Sequence, residues 1–308
     1  MIALMMMSPL VSAAEWRWMG GMEVNASPFG IADIGWRSGP WSVQVLTDTL
    51  DLRHSRELTH GKAWGAARAE LGAAGLLLGP WTDGAPDPKA AMTAGYAGIE
   101  GGWQRYLSAG LYTGFEGFAR TYWFGAQEQT VAVADAQQLA MVQAVFGLWR
   151  PSVQVRLAAG AHIDPPAEKP LSPHLTLQAR YQPGGVIAPR LEVHAGTAAG
   201  QRFLSTTRLG GLNPYVVPLA GAGWAEWWVE DYAAVRVGPS LSGERGSLSA
   251  VADAAVFDGQ SAVGFGLLTT LNITALTLNT DLGYAPWISR QEDIGRWSAL
   301  VLLGRDWG

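Results

Sequence analysis

Along much of the chain every second residue is apolar, in runs too long for chance and with the wrong period for a helix. In Ser152 to Asp164, Val153, Val155, Leu157, Ala159, Ala161 and Ile163 alternate with Gln154, Arg156, Gly160, His162 and Asp164. A strand turns successive side chains to opposite faces, so this spacing predicts one greasy and one polar face. The pattern returns in His174 to Gln182, where Leu175, Leu177, Ala179 and Tyr181 oppose His174, Thr176, Gln178, Arg180 and Gln182. It returns again in Arg190 to His194, with Leu191 and Val193 set against Arg190, Glu192 and His194. Such strands suit either a half-exposed sheet or a barrel with lipid outside and water inside.

The last third of the chain favours the barrel. Ala262 to Asn272, Thr274 to Tyr284 and Trp297 to Trp307 are three successive strands of membrane-spanning length with short connections. Tyr284, Trp287, Trp297 and Trp307 fall near strand ends, where aromatic girdles sit at a membrane interface. The opposite face is small or polar: Gly264, Gly266, Thr277, Asn279, Asp281, Ser298, Gly304 and Asp306. Earlier candidate strands are Glu15 to Asn25, Phe29 to Arg37, Trp41 to Leu52, Lys62 to Gly79, Ala90 to Gly102, Ser108 to Trp123 and Leu139 to Trp149; Trp224 to Val237 and Ser247 to Asp258 complete the set. That makes about 15, and because a bacterial barrel closes with an even number the expectation is 14 or 16. The fold class is all-β: a single transmembrane antiparallel barrel, with no linker and no second domain.

Composition agrees. The 308 residues are 48% hydrophobic and 15% charged, with 39 Gly, 15 Trp and no cysteine. No run reaches the roughly 18 to 20 apolar residues of a spanning helix, which excludes a helical membrane protein. A net charge of -5 argues against a nucleic-acid partner. Met1 to Ala14 is apolar and ends in the small residues Ser12-Ala13-Ala14, so residues 1–14 read as a signal peptide and residues 15–308 as the barrel. No Lys or Arg precedes the apolar stretch, which puts the true start codon in question.

From about Arg190 onward the order of features resembles the carboxy-terminal barrel of the Omp85 family, which includes the outer-membrane assembly insertase and the barrels of patatin-like autotransporters. Phe203-Leu204-Ser205-Thr206-Thr207-Arg208-Leu209-Gly210-Gly211 resembles the family's approach to a long inward-folded loop. Trp224-Ala225-Glu226, Phe257-Asp258-Gly259 and Gly264-Phe265-Gly266-Leu267 follow in the family's order. Leu303-Gly304-Arg305-Asp306-Trp307 is similar to the family's last strand, and Trp307 to the terminal aromatic read as an assembly signal. Two features depart from the family. Its Arg-Gly-aromatic motif is replaced by Leu212-Asn213-Pro214-Tyr215, leaving Arg208 as a loose substitute, and no POTRA domain is expected before the barrel. The resemblance implies outer-membrane lipid, the barrel assembly machinery and periplasmic or envelope proteins as partners.

No G-x-S-x-G, H-E-x-x-H, Walker loop or dinucleotide turn is present, so neither an enzyme, a cofactor nor a metal site is expected. Candidate lumen-wall residues are Arg156, His162, His174, Arg180, Arg190, Glu192 and His194, the three histidines lying on polar faces of consecutive strands. His54 and His60 are read into an exposed polar turn around Arg53 to Glu57. On Trp224 to Arg236, Glu226, Glu230 and Arg236 are expected to share an inward face, leaving Trp227, Val229 and Val235 to lipid. The segment Gln201 to Gly223 is too irregular for a strand and too apolar for a free loop, so it is expected inside the barrel. There Arg208, beyond which lie Gly210 and Gly211, would pair with Asp258 or Asp281. Two functions fit a bacterial outer-membrane barrel of this kind: protein or polymer export and assembly within an envelope complex, or a porin-like channel for anionic or polymeric solutes.

Overall fold

The computed structural model describes residues 15–24, 29–46, 49–60, 63–74, 81–82, 85–86, 94–124, 136–164, 171–198, 207–212, 216–222, 226–289 and 296–305. The chain runs through β1 (Glu15–Val24), β2 (Phe29–Ser38), β3 (Trp41–Leu46), β4 (Thr49–His60) and β5 (Ala63–Ala74), then a small hairpin, β6 (Trp81–Thr82) and β7 (Ala85–Pro86). It continues through β8 (Ala94–Ser108), β9 (Leu111–Phe124), β10 (Ala136–Arg150), β11 (Val153–Ile163), β12 (Leu171–Tyr181) and β13 (Ile187–Ala198). Two short strands follow, β14 (Thr207–Leu209) and β15 (Trp227–Val229). The last five are β16 (Asp231–Gly243), β17 (Gly246–Phe257), β18 (Gln260–Ile273), β19 (Leu276–Ile288) and β20 (Trp297–Arg305).

Without β6, β7, β14 and β15, the 16 remaining strands pair antiparallel in sequence order into one closed barrel. The seam joins β1 to β20, from Trp18 opposite Arg305 to Val24 opposite Ala299. Closure removes every sheet edge, which the hydrocarbon core demands because it offers the backbone no alternative partners. The count of 15 expected from sequence fell one short because Trp41 to Leu52 holds two strands. β3 ends at Leu46, and β4 starts at Thr49 and pairs with β3 and β5 as far as His60. The charged run Arg53 to Glu57 is therefore strand, not turn. A wet interior tolerates polar residues in a strand, which hid the periodicity there.

Alternation along the strands is as expected. β16 reads exposed at Ala233, Val235, Val237 and Leu241 and buried at Tyr232, Ala234, Arg236 and Ser240. Apolar side chains such as Val142, Phe115, Leu282 and Val301 face out. Trp16, Trp41 and Tyr181 ring one end of this outer surface, and Trp123, Trp287 and Trp297 ring the other. A closed barrel with an apolar, aromatic-girdled outside is built for lipid.

The ends differ. At one, connections such as Gly39-Pro40, Ala109-Gly110, Pro151-Ser152 and Glu244-Arg245 are tight turns. At the other, the longest connections emerge, after β5, β9, β13 and β19. Glu15 and Arg305 lie at the tight-turn end. Short turns on the periplasmic side and long loops on the outside are the rule for such barrels, which orients the molecule.

Cysteine scanning checks the two faces, since the chain has no cysteine of its own. Val142→Cys and Val301→Cys should react with a lipid-soluble maleimide and resist a water-soluble one in intact membranes. Gln178→Cys, on the inner face of β12, should show the reverse preference. Equal labelling of both classes would contradict the barrel.

Candidate functional site: the loop inside the barrel

The connection from β13 to β16 does not stay outside. Its described part is buried almost throughout: Leu209, Leu219, Ala220, Ala222 and Glu226 expose nothing, and Val229 and Trp227 almost nothing. β14 and β15 form a two-stranded sheet, Thr207 opposite Val229 and Leu209 opposite Trp227. The chain between them folds back on itself, Gly210 N donating to Val217 O at 3.0 Å, Val217 N to Arg208 O at 2.9 Å and Leu219 N to Gly211 O at 3.0 Å. Gly210 and Gly211 permit the reversal, with φ of 115° and 96°, a region closed to most side chains.

Three backbone amides of the loop are fastened to three wall strands. Leu212 N donates to Glu23 Oε1 on β1 at 3.1 Å, Ala220 N to Asp253 Oδ2 on β17 at 2.8 Å and Gly221 N to Ser298 Oγ on β20 at 2.9 Å. Each bond satisfies a buried donor that would otherwise cost about 1 to 3 kcal/mol. Apolar contacts complete the seat. Trp227 lies 4.9 Å from the Phe257 ring, in a cluster with Leu209, Val217, Leu219 and Tyr232. Leu212 and Ala220 pack on Ile31, Val251, Leu268, Leu300 and Leu302. Those wall residues point inward yet are apolar, because loop rather than water covers them.

The glycines of the wall make room for this approach. A Cβ on Gly264 would stand 2.2 Å from Ala220 O, and one on Gly283 would stand 2.6 Å from Gly221 N. Small residues in β18 and β19 thus form a niche for Ala220-Gly221 rather than merely a thin wall.

Asp253 is held in turn by Arg236, whose Nε and Nη2 meet its two carboxylate oxygens at 2.7 Å each, with both side chains buried. Arg236 stands opposite Asp253 on one side and Glu192 on the other. Glu192 also accepts from Arg190 at 2.9 Å and lies 3.7 Å from Arg180. Ion pairs thus join β12 to β13 and β16 to β17, the two sets side by side on the wall, and the second ends on a loop amide. Opposite, Arg156 pairs with Glu116, and Arg120 reaches Glu100 at 3.5 Å.

Several expected placements are corrected. Arg208 does not reach Asp258 or Asp281; its guanidinium lies 4.7 Å over the Trp228 ring. Asp258 accepts the backbone N–H groups of Glu230 and Asp231, and Asp281 that of Thr269. Glu226, Glu230 and Arg236 share no face, because the chain bends at Glu230 between β15 and β16: Glu226 is buried, Glu230 exposed and Arg236 inward. Trp227 and Val229 belong to the plug and do not meet lipid, whereas Val235 faces out as expected. Of the three histidines, His162 Nε2 and His174 Nδ1 come within 3.1 Å, but His194 stands beside Gln178, four residues along β12 from His174. Trp307 lies outside the described residues. Glu23 and Asp253 were missed, although a lone carboxylate in the apolar run from Ala250 to Phe257 was the available signal.

No protein-family model and no curated protein matches the sequence. Solved structures do match in fold. BamA from Haemophilus ducreyi lacking POTRA domains 1-3 superposes with a TM-score of 0.68 at 8% identity, over 95% of this chain and 70% of that one. CdiB from Acinetobacter baumannii gives 0.65 at 12% identity, over 96% of this chain and 60% of that one. CdiB from Escherichia coli gives 0.63 at 11%, over 96% and 63%. The fold is that of the Omp85 barrels. The closed barrel and its apolar, aromatic-girdled outer surface are those of a bacterial outer-membrane barrel. This chain spans less than two thirds of either CdiB chain's length.

The seat of the loop can be tested through Asp253. Asp253→Ala leaves Arg236 buried without its main partner and frees the Ala220 amide, which should cost about 3 to 5 kcal/mol in urea unfolding of the detergent-folded barrel. Replacing both charges, Arg236→Met with Asp253→Leu, should recover part of that loss, since only the amide then lacks a partner. A single variant as stable as the parent would show that the pair does not anchor the loop.

Proposed function

We propose that this chain is the membrane barrel of a protein or polymer export or assembly system, working with periplasmic or other envelope partners. The observation that carries the reading is the loop seated on three wall strands through Glu23, Asp253 and Ser298. A pore for small solutes gains nothing from an apolar plug anchored in its lumen, whereas a barrel that opens only for a large client needs a closed resting state. The Omp85-type fold supports the same reading. In it, residues 1–14 are the signal peptide, residues 15–308 the barrel, and Trp307 the terminal assembly signal.

The alternative channel for anionic or polymeric solutes draws on the arginines of the wall. Their field is largely spent within the protein, because Arg156 faces Glu116, while Arg180 and Arg190 face Glu192. Opposite charges this close leave little net potential to select an anion.

Planar-bilayer conductance separates the two readings. The intact barrel should conduct poorly, and deletion of Leu212 to Ala222 should raise single-channel conductance several-fold while the folded, heat-modifiable form persists. Arg208→Ala should raise it less, since the three wall anchors of the loop backbone do not involve Arg208, whose guanidinium lies over Trp228. Strong conductance of the intact barrel, unchanged by the deletion, would favour the channel. Recovery of periplasmic proteins with the native barrel, by affinity purification after crosslinking, is the second expected result.

A further inference from the structure

On the polar side of the lumen, across the barrel from the seam between β1 and β20, two imidazoles meet. His162 lies near the outer end of β11 and His174 on β12, with His162 Nε2 within 3.1 Å of His174 Nδ1. No sequence motif marks the pair, because residues 12 apart meet here only through strand pairing. Ser172 stands opposite His162 and Gly160 opposite His174, so the two histidines are diagonal neighbours on the inner face. We propose that they form a binding site for a divalent transition-metal ion of the zinc or copper class, with Asp164 as the carboxylate that orients His162, independent of whatever the barrel exports.

The geometry of the pair is that of two ligands. Nitrogens bound to one ion at about 2.0 to 2.1 Å stand about 2.9 to 3.4 Å apart as the angle at the metal opens from a right angle to the tetrahedral value, and 3.1 Å falls in that range. The ring centroids discriminate further. They would lie about 4.8 Å apart if both ring axes met at one ion, and about 5.4 Å apart if the rings shared a straight N–H···N bond of the same length. They are 4.7 Å apart, with the planes at 89°. The rings are therefore bent about their contact, as ligands of one centre are, rather than set in line.

Two buried groups beside the pair lack partners among the described residues. His162 is 5% exposed and its Nδ1 makes no hydrogen bond; Asp164 is 4% exposed and neither carboxylate oxygen makes one. A buried carboxylate in that state is costly and calls for a donor or an ion. Asp164 follows His162 by two residues on the inner face, about 6 to 7 Å further along the chain and toward the outer end, whereas His174 lies on the other side of His162. When His162 gives its Nε2 lone pair to a metal, its proton sits on Nδ1, the nitrogen turned away from His174. Metal-bound histidines characteristically donate that second N–H to a carboxylate, and Asp164 is the one with oxygens to spare.

The donors select the ion. Neutral imidazole suits zinc, copper and nickel, whereas magnesium and calcium take oxygen ligands. Among the described residues no third histidine, cysteine, aspartate or glutamate stands close enough to complete the set, so lumen water fills the remaining positions and the ion is exchangeable, unlike one closed in by four protein ligands. The charges that bear on His174, Arg156 and Glu116, are paired with each other and leave little net field against a cation. β11 and β12 pair along their length without an ion, so the metal-free barrel keeps its fold.

Competition between a chromophoric chelator and the untagged, detergent-folded full chain, stripped beforehand with EDTA, tests the proposal with Zn2+, Cu2+ and Mg2+ as probes. One equivalent of Zn2+ or Cu2+ is expected at this site, Cu2+ the more tightly held, and no Mg2+. His162→Asn with His174→Gln should abolish that equivalent, and His194→Gln should leave it unchanged. Asp164→Asn should weaken binding about tenfold or more, with partial recovery in Asp164→Glu. The electron paramagnetic resonance spectrum of the Cu2+-loaded chain should show coupling to two nitrogens that the double histidine variant loses. Heat modifiability on gels confirms that each variant is folded. Binding that survives loss of both histidines, an equal affinity for Mg2+, or no competition at all would overturn the site, and Asp164→Asn at parental affinity would overturn the role given to Asp164.

Discussion

Everything in this molecule follows from the demand that hydrocarbon makes on a polypeptide backbone: no N–H or C=O can be left without a partner. Sixteen strands meet it by closing on themselves, β1 against β20. Closure then creates a second problem, an interior lined by half of every strand's side chains. In this barrel the two halves of that interior are solved differently. Around β8 to β13 the wall is polar and internally neutralised, with Glu100, Arg120, Glu116 and Arg156 in pairs. Around β16 to β20 it is largely apolar and glycine-rich, and it is covered by the loop.

The cover is held mainly by its backbone. Amides of Leu212, Ala220 and Gly221 donate to Glu23, Asp253 and Ser298 of the wall, and Asp253 is secured in turn by Arg236. A main-chain anchor places few demands on the loop's side chains, apart from smallness where the walls come close. Ala220 and Gly221 meet that demand from the loop, and Gly264 and Gly283 from the wall. The same arrangement explains why a loop lacking an Arg-Gly-aromatic motif still seats firmly: here the arginine stands on the wall, at position 236.

The class of fold was legible in the sequence because lipid on one side and water on the other impose a strict period of two, clear in Ser152 to Asp164 and Trp297 to Arg305. Where both faces are polar or both apolar the period vanishes, and there the sequence reading failed. Arg53 to Glu57 looked like a turn, and Trp227 and Val229 looked lipid-facing because burial under a plug and burial in lipid select the same residues. The location of the loop was legible from Gly210-Gly211 and its irregular, apolar composition. Its partners were not, since Glu23 and Asp253 come close to it only through the closure of the barrel and the return of the chain into the lumen.

The central claim is that residues around Ala220 lie against the inner face of β18. A Cβ on Gly266 would sit 3.4 Å from that of Ala220, near the separation of about 3.5 to 4.5 Å found in disulfides. In a chain with no other cysteine, Ala220→Cys with Gly266→Cys should therefore oxidise to an intramolecular disulfide in the assembled outer-membrane form, seen as a mass loss of two hydrogens and as blocked maleimide labelling. Two free thiols that a water-soluble maleimide labels in the folded barrel would contradict the account.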